Sequence, residues 1–357
     1  MQRNRTFDIM LFIGISAIVL FHLGVQIPGL DWRLTTFQIP LFYFISGYFC
    51  KRVFSPKAKG IILLNKIKKQ LIPFFALAFL LGIITFILHK CGFSYGYSNV
   101  VNFQTVITDW LKGEEPYRLY GPAWFLLALF FVNVVALFVF WGNKKIDTFI
   151  AIISIPLILF FYYKTPDPKA TYMIKMTIRI LIGFLYFSCG ALFKMHEEKI
   201  KKFVLSPVTF ILALAIISYL QRYFGIDQET FHNSLGKDPW ASFIAANLMI
   251  LVIYIFSSGI AAITSEKSII YVFSQSTFSI MVWHYVVWVI FNIILFYSGI
   301  INYEQVLDRG FIYERDYFWI VYYLICMCGS VGIRYLWLWL RKQSIHLGRK
   351  VIMKAER

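Results

Sequence analysis

About ten apolar runs follow one another along this 357-residue chain, each long enough to cross roughly 30 Å of hydrocarbon. They lie near residues 7–27, 37–54, 71–89, 122–141, 147–163, 175–194, 203–223, 241–263, 276–298 and 317–340. Inside a bilayer the backbone N–H and C=O groups find no water, so each run must close its hydrogen bonds internally, as a helix. The chain is 59% hydrophobic and 15% charged, far from the roughly half apolar and quarter charged of soluble domains. The predicted fold is all-α: a polytopic integral membrane bundle of about ten transmembrane helices. The aromatic residues, 37 Phe and 22 Tyr among them, suit lipid-facing Phe and interfacial belts of Tyr and Trp.

A net charge of +17 could suit nucleic acid, but its distribution argues otherwise. Lys and Arg concentrate in alternate loops, as cytoplasmic loops do. Placing Arg3 and Arg5 inside puts Lys51 to Lys69, Lys144 and Lys145, Lys194 to Lys202 and the basic tail from Arg341 on the same side. The expectation is N-in and C-in, multi-pass in a bacterial plasma membrane, with lipids as partners and nucleic acid excluded. The first run is not read as a signal peptide, because Asp8 and His22 interrupt it and no A-x-A-like site follows. With no internal repeat or linker, residues 1–357 read as one membrane domain. The five cysteines are odd in number and scattered, which is not a disulfide framework. Cys326 and Cys328 have no neighbouring His or carboxylate to complete a metal site, so no metal is expected.

Ionisable groups within the membrane are costly, which makes each a functional-site hypothesis. His22 lies about 15 residues into the first helix, roughly 22 Å from its inner end and so in the outer half. An imidazole there either takes a proton from a hydroxyl or is a neutral histidine hydrogen-bonded to another helix. Asp8 points within about 40° of His22 yet lies roughly 21 Å down the axis, so the two cannot hydrogen-bond. Asp8 holds the inner mouth through Lys or Arg, or caps the helix. Arg179, near the outer end of its segment, engages an acceptor or snorkels to the interface; Arg334 reads as a snorkelling anchor. His284 sits about a third of the way into the run from 276, too far inward to be assumed a partner of His22.

The first segment reads D-I-M-L-F-I-G-I-S-A-I-V-L-F-H, ending at His22, and resembles the opening helix of the acyltransferase-3 family of membrane acyltransferases. Similar blocks follow in order: I-P-L-F-Y-F-I-S-G-Y-F (39–49), K-I-K-K-Q-L-I-P-F (66–74), G-P-A-W-F-L-L-A-L-F (121–130), R-I-L-I-G-F-L-Y-F-S-C-G (179–190) and S-T-F-S-I-M-V-W-H (276–284). The resemblance implies catalytic roles for His22 and for Asp8, whose spacing is also matched, and cytoplasmic acyl-CoA, most often acetyl-CoA, as donor. It implies acceptor hydroxyls on surface polysaccharide or lipid-linked glycan. Arg52, Lys66 and Lys69 are then candidates for the CoA phosphates, as point charges in the case of lysine, although a positive-inside loop explains the lysines equally. Tyr117, Arg118, Tyr120 and Trp124, with Arg179 and His284, are candidates for the acceptor side; Trp124 also reads as an interfacial anchor.

One departure stands out. The family usually carries Arg or Lys eleven residues before the histidine, on the same helix face, and this chain has Leu11. Arg52 could replace that charge, donor handling could differ, or activity could be lost. Direct transfer and a transient acyl-histidine fit the same residues. The rivals to an enzyme are a glycan exporter or flippase subunit and an inactive relative. The oligomeric state is open.

Overall fold

The computed structural model of the protein describes residues 4–25, 36–93, 118–164, 172–226, 235–265, 267–308, 311–313 and 317–355. Among them there is no strand. The helices are α1 (Arg5–His22), α2 (Gln38–Tyr48), α3 (Pro56–Lys66), α4 (Ile72–Lys90), α5 (Trp124–Val139), α6 (Lys144–Lys164) and α7 (Tyr172–Val204). They continue as α8 (Pro207–Phe224), α9 (Pro239–Ile263), α10 (Ile269–Gln275), α11 (Thr277–Tyr297), α12 (Tyr303–Leu307) and α13 (Phe318–Ala355). Nine stretches among the described residues are long and apolar enough to cross a membrane. The chain is thus an all-α polytopic membrane bundle.

The run at 37–54 departs from expectation. Its helix, α2, has 11 residues, about 16 Å at 1.5 Å per residue and half the hydrocarbon thickness. The apolar residues beyond Tyr48 lengthen the run without lengthening the helix. Phe49 instead packs edge-on to Phe7 at 5.1 Å, and Phe54 lies 5.9 Å from Trp141. A short helix survives in the bundle because protein surrounds it. α2 lies backbone to backbone on α7: a Cβ at Gly47 would run into the Phe187 carbonyl, and one at Gly190 into the Phe44 carbonyl. Reciprocal glycines of this kind let membrane helices approach closely. α7 is the axis of the bundle, with 67% of its spanning window buried against 22% for α6 and α8, whose Phe149, Phe160 and Ile211 are exposed.

α3 and α4 form one long helix interrupted by a π turn, Ile67–Leu71. Pro73 has no N–H for the carbonyl four residues back, and the ladder widens so that the Ile72 N–H reaches the Ile67 carbonyl. Residues 62, 65, 66, 69 and 70 then share one face toward α5. At the same end of the bundle, Tyr48 of α2 meets Phe7 of α1 with ring centroids 4.0 Å apart. Ser274 bonds Asp8, and Arg334 of α13 bonds Ser276. The start of α1 and the second half of α13 therefore lie at one end.

Candidate active site

His22 occupies the last turn of α1 and is half-buried. Its Nδ1 is 2.7 Å from the phenolic oxygen of Tyr285 on α11, a hydrogen bond. The imidazole also stacks on His284, with centroids 5.3 Å apart and planes at 27°. His284 is fully buried, and its Nδ1 lies 2.8 Å from the Ile280 carbonyl. A carbonyl only accepts, so Nδ1 carries a proton, and in the neutral ring the lone pair is on Nε2. Three rings thus converge from two helices: His22, His284 and Tyr285.

That convergence corrects the expected depth of His284. Counted from residue 276, His284 is shallow, but α11 does not begin at the membrane surface. α10 precedes it, packing Tyr271 into a cluster with Ile9 of α1. From Ile269 to His284 is fifteen residues, about 22 Å, the same rise as from Phe7 to His22. The helix break at Gln275–Ser276 hid half of the path.

Behind the rings stands a polar column. Trp288 stacks on Tyr285 at 5.8 Å with planes 3° apart, and its Nε1 donates to the Phe311 carbonyl at 3.1 Å. Asn292 Nδ2 donates to the same carbonyl, and Tyr322 donates to Asn292 Oδ1 at 2.7 Å. The Tyr322–Asn292 bond and the contact of Gly329 on Val287 tie α11 to α13. Tyr285 and Asn292 were missed in the sequence. Tyr285 directly follows the block ending in His284, and Asn292 is a polar residue in an apolar span, so both carried a signal.

Asp8 sits at the opposite end of α1 from His22 and accepts from the Ser274 hydroxyl at 3.3 Å. Arg334 turns inward rather than snorkelling, donating to Ser276 Oγ at 3.0 Å. Arg179 is buried, its guanidinium 4.8 Å above the ring of Trp124, so it does not snorkel and Trp124 is not a plain interfacial anchor. Tyr120 is buried and donates its hydroxyl to the Phe74 carbonyl at 2.6 Å. That bond makes it a brace between the 3₁₀ turn Arg118–Ala123 and α4 rather than an open sugar platform. Tyr117 and the side chain of Arg118 lie outside the described residues. Leu11 packs against an apolar cluster that includes Phe7, Met10 and Tyr254.

At the end shared by the start of α1 and the second half of α13, a pocket of about 360 Å³ opens between the π turn and α5. Lys66, Lys69 and Gln70 line it from one side, Cys50, Lys51 and Asn133 from the other. The Lys66 ammonium donates to Asn133 Oδ1 at 2.8 Å. Arg52 lies elsewhere, 4.0 Å from the buried carboxylate of Asp147, which also accepts from the Trp141 and Gly142 N–H groups. The two expected donor-side lysines therefore share a pocket, while Arg52 is not among its lining residues and has a carboxylate partner of its own.

A family model described as an acyltransferase domain matches residues 4–339. No curated protein and no solved structure matches the chain. The match covers the whole bundle from α1 into α13, and the chain belongs to the acyltransferase-3 family of membrane acyltransferases.

Proposed function

We propose that the protein is an O-acyltransferase that moves an acyl group, acetyl foremost, from cytoplasmic acyl-CoA to a hydroxyl of a surface polysaccharide or lipid-linked glycan. The observation that carries this reading is the His22 imidazole, held by Tyr285 at 2.7 Å and stacked on His284. When Nδ1–H donates to the Tyr285 oxygen, Nε2 is left with the lone pair that a general base needs. Nε2 takes the acceptor's hydroxyl proton as that oxygen attacks the thioester carbonyl. The tetrahedral intermediate collapses, the C–S bond breaks, and the imidazolium returns the proton to the departing thiolate, leaving an ester and CoA thiol. Tyr285 fills the place of the orienting third group in a triad. A neutral phenol suits a membrane site, where an ionised carboxylate would be costly to bury.

The basic loops support an N-in, C-in orientation in a bacterial plasma membrane, which sets the Lys66 pocket at the cytoplasmic face. CoA phosphates would meet Lys66 and Lys69 there, and the acceptor would reach His22 from the outer side, past Trp124 and Arg179. The test is transfer of labelled acetyl from acetyl-CoA to glycan in membranes carrying wild-type protein or His22→Ala. Label is expected with the wild type only, and equal labelling by both removes His22 from the mechanism. Cells without the gene should lose glycan esters while still exporting glycan; lost export with esters intact would mean a transporter.

A further inference from the structure

We propose that Asn133 of α5 is a positioning residue for the acyl donor, holding the Lys66 ammonium in its pocket so that the charge faces a donor phosphate. The inference rests on the donor reading above. Asn133 is the one amide in the apolar span Trp124–Val139 and is buried. Its orientation is chemically forced. An ammonium has only donors, so the amide oxygen must face Lys66, at 2.8 Å. The same oxygen accepts from the Ser46 hydroxyl at 3.2 Å, and Nδ2 donates to the Leu129 carbonyl at 2.7 Å. Both lone pairs of Oδ1 are used, and the side chain cannot turn without breaking three bonds in three helical segments.

The partner Asn133 supplies is neutral. Among the described residues no carboxylate lies within ion-pair distance of Lys66. Arg52 shows the contrast, because Asp147 already balances its charge. A half-buried ammonium fixed by an amide keeps its full field for an incoming anion. The Lys69 side chain and the Gln70 amide complete a cationic, hydrogen-bonding wall around the same space. If Asn133 were only glue between helices, its loss would lower stability without touching donor affinity.

Initial rates of purified full-length protein in lipid nanodiscs, with acetyl-CoA varied at saturating glycan, separate the two. Asn133→Leu should raise the KM for acetyl-CoA about tenfold, the scale of one charge-assisted hydrogen bond, and add nothing further in a Lys66→Met background. Asn133→Asp keeps every acceptor and stands in if Asn133→Leu does not fold; it should also raise KM, because its carboxylate competes with the phosphate. An unchanged KM in the Asn133 variants, or effects that add to those of Lys66→Met, overturns this inference alone. An unchanged KM in Lys66→Met overturns the donor reading and takes the inference with it.

Discussion

The two polar regions of the bundle are built from opposite materials. Around His22 the described contacts are rings and neutral hydrogen bonds: Tyr285, His284 and Trp288, backed by Asn292 and Tyr322. Around Lys66 they are ammonium groups and amides, in a pocket open to one end. A site that shuttles a proton needs a neutral base held in one orientation. A site that recognises a phosphate needs fixed positive charge with no resident counter-ion. On the proposed function, chemistry and donor recognition are divided along the membrane normal, so that each end can be disturbed without the other.

Tyr285→Phe should break the neutral end most. Without the phenol oxygen the imidazole loses its orienting bond, and a misplacement of this order costs about 100-fold in kcat, with the KM for acetyl-CoA unchanged in steady-state assays. His284→Gln removes the stacked ring but keeps a polar side chain. Its expected loss is about tenfold in kcat, in line with one aromatic pair. Tyr322→Phe deletes two bonds behind the rings, one to Asn292 and one from the Tyr313 N–H, so thermal unfolding of the purified protein should report about 2 kcal/mol while kcat stays within about twofold. At the cationic end, Arg52→Gln should shift the KM for acetyl-CoA by less than about twofold, because Asp147 already engages the guanidinium. A large KM effect there would dissolve the contrast between paired and unpaired cations.

Much of the fold was legible because the bilayer leaves a chain few choices: long apolar runs became helices, and the charged loops separated them. The exceptions are instructive. Hydropathy counted residues 37–54 as a span, but it cannot tell a helix from apolar loop residues that pack, as Phe49 and Phe54 do. It also cannot see the break between α10 and α11, which placed His284 too shallow. Within the site, His22 stood out as a costly ionisable group and Lys66 through the family resemblance, whereas Tyr285 is one of 22 tyrosines and became informative only through its partner. The pairing of Arg52 with Asp147 joins positions almost a hundred residues apart, and no periodicity announces it.

The division of labour is tested most directly by measuring kcat and the KM for acetyl-CoA in His22→Ala and Lys66→Met side by side, on folded protein in the same lipid. In His22→Ala a kcat lowered by about 100-fold or more is expected, with KM little changed. Lys66→Met should show the reverse, a KM raised about tenfold with kcat largely kept. Wild-type turnover by His22→Ala would contradict a catalytic His22.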